Sequence, residues 1–322
     1  MFVISNSLFG IGRIINVSNW PYLRQEKEIP MTHTDPNPSA TAAGRFTFPG
    51  TDISVNRMGY GAMQLAGPGV FGPPKDEAVA RDVLREAIAL GIDHIDTSDF
   101  YGPYVTNRLI REALHPYPAD LTLVTKVGAY RDDKGGWLHN ITPDFLKRSV
   151  EENLENLKRD RMDVVNLRIA GPDEDVREAM IAMRDLQEEG LIAHIGMSTV
   201  TMDQLRAGQD IAPVVCVQNM YNLVHREDDA MIDALADEGI AYVPYFPLGG
   251  FSPIQSAGLN DVAADLGATP QQVALAWLLQ RSPNMLLIPG TGSIGHLHDN
   301  VAAAALELTP EAKLKLDGLA SA

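Results

Sequence analysis

The sequence predicts an α/β fold, a (β/α)8 TIM barrel with an N-terminal β-hairpin, and three observations carry that expectation. Short β-rich runs alternate with helical patterns from Gly44 to the C-terminus, the mark of parallel βα units. Eight such runs are present, and eight βα units fit a closed barrel of about 280 residues. No linker, charge block or internal repeat divides them, so one domain is expected over residues 44–322, after an N-terminal extension over 1–43. An open doubly wound sheet has the same element order and stays open as the alternative.

In order along the chain, MFVISNSLFGIGRIINVSNW lacks a basic stretch ahead of its apolar part and is interrupted by Arg13, so it makes a poor secretory signal. Met31 opens a second, polar and small-residue leader, MTHTDPNPSATAAG. We expect residues 1–30 to be an upstream extension, or a start placed too early, with folding from near Gly44. RFTFPGTDISV has alternating residues around a Pro-Gly turn and reads as a hairpin capping one end of the barrel.

The strand candidates are RMGYGAM (57–63), HID (94–96), LTLVTKV (121–127), MDVVNL (162–167), AHIGMS (193–198), VVCVQ (214–218), AYVPYF (241–246) and MLLIP (285–289). Between the third and fourth, Leu146, Val150, Leu154 and Leu157 recur at helical spacing behind Thr142 as N-cap and Pro143 at the first helical position, a core stripe. Thr269 and Gln272 have capping-box spacing around Pro270, which starts a helix there.

Composition narrows the partners. With 45% hydrophobic and 21% charged residues the chain is an ordinary globular one. Its formal charge of −16 and the lack of any basic run argue against nucleic acid and anionic membranes. No apolar stretch approaches the roughly 18 residues of a membrane span. One cysteine, Cys216 in VVCVQ, allows no internal disulfide and reads as a buried core residue in a reducing, cytoplasmic setting. His296 and His298 stand two apart and cannot share a helical face, so no metal site is expected.

In a barrel, reactive side chains belong at the carboxyl ends of strands. The second candidate strand runs into Asp96-Thr97-Ser98-Asp99-Phe100-Tyr101-Gly102, the third ends in Lys126 and the fourth in Asn166-Leu167-Arg168. Carbonyl reduction needs an acid for the carbonyl oxygen, and a tyrosine of pKa about 10 is weak unless a cation favours its phenolate. Lys126 supplies that cation and Asp96 can hold Lys126 charged, which makes Asp96, Tyr101 and Lys126 a proton relay.

On these residues the chain resembles the aldo-keto reductases, whose D-T-S-x-x-Y-G signature and lysine on the next strand stand here as Asp96, Tyr101 and Lys126. GYGAMQLAGPGVFGPP, HIDTSDFYGP, VCVQN, YVPYFPLGGF and ALAWLLQRSPNMLLIPGT are most similar to the bacterial pyridoxal reductases of that superfamily. The resemblance implies a (β/α)8 barrel and NADPH-dependent reduction of pyridoxal to pyridoxine. It also implies a histidine after the fourth strand, where this chain has Arg168, an always-charged donor that can bind the carbonyl oxygen or act on Tyr101 but cannot be a neutral acid or base.

By the same resemblance Ser198 and Gln218 hold the nicotinamide carboxamide, Thr199 stands where asparagine is common, and Tyr245 stacks on the nicotinamide, followed by Pro247, Leu248 and Gly249. Gly290, Thr291, Ser293 and His296 form the phosphate loop, and Asp299 and Asn300 face the adenine end. The literal G-x-G-x-x-G from Gly290 to Gly295 is not a dinucleotide βαβ fingerprint, because the remaining chain reads helical and supplies no second strand. It offers backbone amides, hydroxyls and a helix N-terminus to phosphate. Many NADPH-using relatives carry lysine and arginine there, where this chain has Gly290 and His296, so NADH stays possible.

Trp137 either stacks on a pyridine ring or covers its loop. The expected activity is NAD(P)H-dependent reduction of a small aldehyde. The rivals are an NAD-dependent sugar or alcohol dehydrogenase and a non-catalytic NADP(H)-binding regulatory subunit. The expected assembly is a monomer or small homo-oligomer.

Overall fold

The computed structural model describes residues 38–250 and 256–321, so the expectations for residues 1–30 lie outside the described residues. Ahead of Gly44, Ala40–Ala43 forms a 3-10 turn capped by Ser39, with Ala40 buried and its N–H bonded to the Leu90 carbonyl.

The elements come in the expected alternation. An antiparallel pair, β1 (Arg45–Thr47) and β2 (Ser54–Asn56), precedes β3 (Tyr60–Gly61), α1 (Glu77–Ala89), β4 (His94–Asp96), α2 (Val105–Leu114) and β5 (Thr122–Val127). A second antiparallel pair, β6 (Ala129–Arg131) and β7 (Trp137–His139), comes before α3 (Pro143–Leu157), β8 (Met162–Arg168), α4 (Arg177–Glu188), β9 (Ile192–Ser198) and α5 (Met202–Gln209). Then come β10 (Val214–Gln218), α6 (Asp229–Asp237), β11 (Ala241–Tyr242), α7 (Ala257–Leu266), α8 (Pro270–Arg281), α9 (Ile294–Ala302) and α10 (Pro310–Asp317). Seven strands form one parallel sheet in the order β11-β10-β9-β8-β5-β4-β3.

Two expected strands are shorter than their sequence runs, and one is not a regular strand. AYVPYF pairs regularly only at Ala241–Tyr242, because Pro244 has no amide to give the ladder. RMGYGAM contributes Tyr60–Gly61. MLLIP makes isolated parallel bridges instead: Leu286 N–H to Tyr242 O (2.9 Å) on one side, Leu287 N–H to Arg57 O (2.8 Å) and Gly59 N–H to Leu287 O (2.7 Å) on the other. Pro283 and Pro289 bracket that segment and leave only a short stretch able to pair.

Apolar burial sorts the chain into two layers. Val124, Val164, Cys216, Ala241, Val243, Leu286 and Ile288 cluster on the concave side of the curled sheet, together with Phe48 and Val55 from the β1–β2 region. The helices bury their stripes on the other side, among them Leu146, Val150 and Leu157 of α3. α8 is buried on all sides from Gln272 to Leu279 and begins with the expected Thr269–Gln272 capping box. Strand alternation therefore hands the concave side Val124 then Lys126 on β5, Val164, Asn166 and Arg168 on β8, and Cys216 then Gln218 on β10. The concave side turns from apolar to polar towards the carboxyl ends of the strands.

Candidate active site

The acid, amine and phenol singled out from sequence meet at that polar end. Parallel register sets Asp96 opposite Val124, Lys126 opposite Asn166 and Arg168 opposite Ser198. Lys126 Nζ donates to Asp96 Oδ1 and to the Thr97 carbonyl (3.0 Å), and lies 5.2 Å from the centre of the Tyr101 ring. An ammonium has three donors, so one is left over on the side of Tyr101, whose hydroxyl acts on the Lys126 charge. Asp96 and Lys126 are each 2% exposed and Tyr101 7%, so the trio is shielded from water and removing one charge strands the other.

The second Asp96 oxygen, Oδ2, accepts from Gln218 Nε2 at 2.9 Å, a bond that crosses from β10 to β4. A carboxylate only accepts, so this contact sets the amide's orientation and turns Gln218 Oε1 away from Asp96. Oε1 is buried without a partner, and so is Asn166 Nδ2, while Asn166 Oδ1 accepts from the Cys216 thiol at 3.4 Å. Burial pushes that thiol up to about 12, which makes Cys216 the inert core residue expected.

Titration behaviour follows from the shielding. Burial raises the Tyr101 hydroxyl above its ordinary value, and Asp96 adds to the rise, against the opposing pull of Lys126 and Arg168. The expectation of a net lowering by Lys126 therefore needs correcting: desolvation outweighs the cation, and Tyr101 holds its proton at neutral pH. Lys126 is itself raised, because Asp96 and the Tyr101 hydroxyl overcome the desolvation that works against its charge. It stays an ammonium.

Arg168 closes β8 and reaches the same space, with its guanidinium 5.7 Å from the centre of the Tyr245 ring. Its Nε is buried without a partner, and among the described residues no carboxylate lies within ion-pair distance of it. Tyr245 is half-buried and held by its N–H to the Asn219 carbonyl at 2.9 Å. Trp137, on β7, is 42% exposed; Arg131 covers one face of its indole at 4.0 Å, and Phe100 packs edge-on at 5.7 Å. Only its other face is free to meet a ligand.

The residues assigned to the cofactor line the rim unevenly. Ser198 is fully buried at the end of β9. Thr199 comes next at φ 63°, a left-handed conformation that is strained for a β-branched residue and easier for the asparagine of its relatives. Pro247 is buried, and Leu248 packs on the helical core. Gly249 bonds the Phe246 carbonyl at 2.9 Å. Gly290 approaches Gly61 closely, and Thr291 accepts from Ser293 N–H at 3.1 Å. Ser293 caps α9 by accepting from His296 N–H. His296 is exposed at the start of α9, Asp299 half-buried and Asn300 buried. The chain after Ile294 is helical, so no second strand succeeds Gly290-x-Gly292.

Three residues were not singled out from sequence. Asn166 was visible as the polar residue between Val164 and Arg168 on the concave row of β8. Asp99, 5% exposed and pushed up to about 7 by burial, and Arg131, which ties two loops together, had no sequence signal beyond lying near the strand ends.

Comparison with known proteins fits this geometry. The profile of the aldo/keto reductase family matches residues 57–253 and 255–320. Pyridoxine 4-dehydrogenase of Escherichia coli K12 is 61% identical over 272 residues, 83% of this chain and 95% of that protein. A thermostable aldo-keto reductase solved with the inhibitor epalrestat superposes with a TM-score of 0.74 at 28% identity, covering 85% of this chain and 99% of its own. An aldo-keto reductase from Klebsiella pneumoniae solved with NADPH does so with 0.71 at 25%, covering 85% and 94%. The chain belongs to the aldo/keto reductase family, whose members use nicotinamide cofactors.

The residues present fit such a cofactor. A primary carboxamide offers both an N–H donor and a carbonyl acceptor, and the polar end of the sheet holds one orphan of each complementary kind, Gln218 Oε1 and Asn166 Nδ2. Each is costly while unpaired and is satisfied by such a group.

Proposed function

We propose that this protein reduces the aldehyde of pyridoxal to pyridoxine, preferring NADPH, with Tyr101 as the acid. The observation that carries the reading is the shielded Asp96–Lys126–Tyr101 assembly, and the 61% identity to a pyridoxine 4-dehydrogenase supplies the substrate. That relative is named for the oxidation, and one catalyst serves both directions.

The bound nicotinamide supplies the hydride to the carbonyl carbon. Ser198, Gln218 and Tyr245 hold its ring, and Thr199, Pro247, Leu248 and Gly249 form the rim beside it. The loop Gly290, Thr291, Ser293 and His296, with Asp299 and Asn300, takes the phosphates and adenine end. Tyr101 keeps its proton until negative charge develops on the substrate oxygen, then donates it. Lys126 stabilises the phenolate left behind, and Asp96 holds Lys126 in place while Gln218 holds Asp96. Arg168 adds a fixed cation beside the reacting oxygen.

The bridges that Leu286 and Leu287 make to Tyr242 and Arg57 support a closed (β/α)8 barrel, with Phe48 and Val55 filling its amino-terminal end as a hairpin cap. We read residues 44–322 as this one domain and the reducing cytoplasm as its setting. Among the described residues no helix is long and apolar enough to cross a membrane.

The test is the initial rate of NADPH oxidation with pyridoxal, beside NADH and beside Tyr101→Phe. We expect saturable turnover, faster with NADPH, and a loss of about 10²–10⁴-fold in kcat in the variant with its melting temperature unchanged. NADH is included because the α9 start offers His296 and no lysine or arginine to a 2′-phosphate. A folded protein without turnover would refute the reading, and a Tyr101→Phe enzyme of full activity would refute the acid.

A further inference from the structure

Among the described residues, Arg168 is a cation without an anion. Among the described residues ten other arginines, Arg81, Arg108 and Arg281 included, pair with carboxylates in a chain of formal charge −16, so acidic partners are plentiful. Arg168 sits at the polar end of the sheet with Tyr245 beneath its guanidinium, its Nε buried and unpartnered, and no carboxylate within ion-pair distance among the described residues. Glu174, on the loop that follows β8, is engaged by the Ala170 N–H at 2.7 Å. His139, another titratable group in range of the Arg168 charge, is pushed down by desolvation and by that charge, so it is neutral and does not compete for an anion. A half-buried guanidinium held unpaired is a preformed anion receptor, and its planar fork suits two oxygens side by side.

We propose that Arg168 sets specificity by gripping an ionised hydroxyl on the ring carbon next to the aldehyde, making the site selective for ortho-hydroxy aromatic aldehydes. This rests on the reading of the chain as a pyridoxal reductase. Pyridoxal carries such a hydroxyl beside its formyl group, and the electron-poor ring ionises it at neutral pH. The phenolate and aldehyde oxygens lie on adjacent carbons and face the same way. Held by the fork, the ring keeps the aldehyde oxygen turned towards Tyr101.

The experiment compares pyridoxal with pyridine-4-carbaldehyde, which lacks the hydroxyl, in the wild type, Arg168→Gln and Arg168→Lys, after thermal melts establish that each is folded. The wild type is expected to prefer pyridoxal by about 10²-fold or more in kcat/KM, because a site built around a buried polar contact rejects the analogue that lacks it. In Arg168→Gln the ratio falls towards one, and Arg168→Lys keeps an intermediate ratio. Equilibrium titration with pyridoxine, which keeps the hydroxyl but has no aldehyde, should lose about 10-fold or more in affinity in Arg168→Gln. A wild-type ratio near one, or a ratio unchanged by Arg168→Gln, overturns the proposal. If the wild type reduces neither aldehyde, the reductase reading fails instead, and the pyridoxine titration alone decides Arg168: equal affinity in both proteins overturns it.

Discussion

Between Ser98 and Phe100, the Asp99 carboxyl is buried within reach of Glu152, with the Ser98 hydroxyl (3.1 Å) as a compensating donor. Burial pushes it up to about 7, from near 3.9 in an unfolded chain. The folded state therefore binds this proton more tightly than the unfolded one. The stability this confers is fully present below about pH 4 and is lost as pH rises through about 7. Asp99→Asn keeps the shape and removes the charge. It should match the wild type in melting temperature near pH 4 and exceed it at pH 8, by at most ~4 kcal/mol, part of which the amide's unpartnered N–H offsets. Paired thermal melts at the two pH values check this, and a gap that does not change with pH would sink it. The D-T-S-x-x-Y-G signature singles out Asp96 and leaves Asp99 at an open position, with no sign of its raised proton affinity. The difference arises because Asp96 gains Lys126 from the next strand and Asp99 gains no cation.

Elements show the same division between what is local and what is not. Capping signals, the α3 stripe and the HID and VVCVQ strands were legible because their causes lie within a few residues. The ribbon β6–β7 was not, since its anchor is distant: Arg131 donates to the carbonyls of Val70 (2.7 Å), Gly69 (3.1 Å) and Gly135 (2.8 Å) while covering the ring of Trp137. One side chain thus ties the turn at 68–71 to the ribbon beside the active site. Arg131→Met should leave the melting temperature nearly unchanged, as neither loop belongs to the sheet core. It should raise KM for pyridoxal several-fold with a smaller effect on kcat, and speed amide exchange in residues 69–72 and 132–138. Unaltered exchange there, with unaltered KM, would show that the tie has no part in holding the site.

At the scale of the whole molecule, the closed barrel proposed above is a property that element order could not show, and it rests on the contacts between the first and last strand segments. A Cβ on Gly61 would lie 2.5 Å from the Ile288 carbonyl oxygen, and one on Gly290 equally close to the Gly61 oxygen. Arg57 spans the same seam, donating to the carbonyls of Leu279 (2.5 Å), Ser282 (2.7 Å) and Met285 (3.1 Å). The glycines of RMGYGAM and LLIPG were readable, but the reason for them lay about 230 residues away in the partner segment. Gly61 has φ −97°, an ordinary value, so Gly61→Ala tests the close approach and not backbone freedom. It should cost about 1–3 kcal/mol and speed amide exchange at Gly59 and Leu287, whose bonds cross the seam. Gly318→Ala, where a Cβ meets nothing within 4 Å and φ is −71°, is the control and should leave the melt no lower than the wild type's. Equal melts for the two variants would mean that the first and last segments are not packed together, and the barrel would then have to be redrawn as an open sheet.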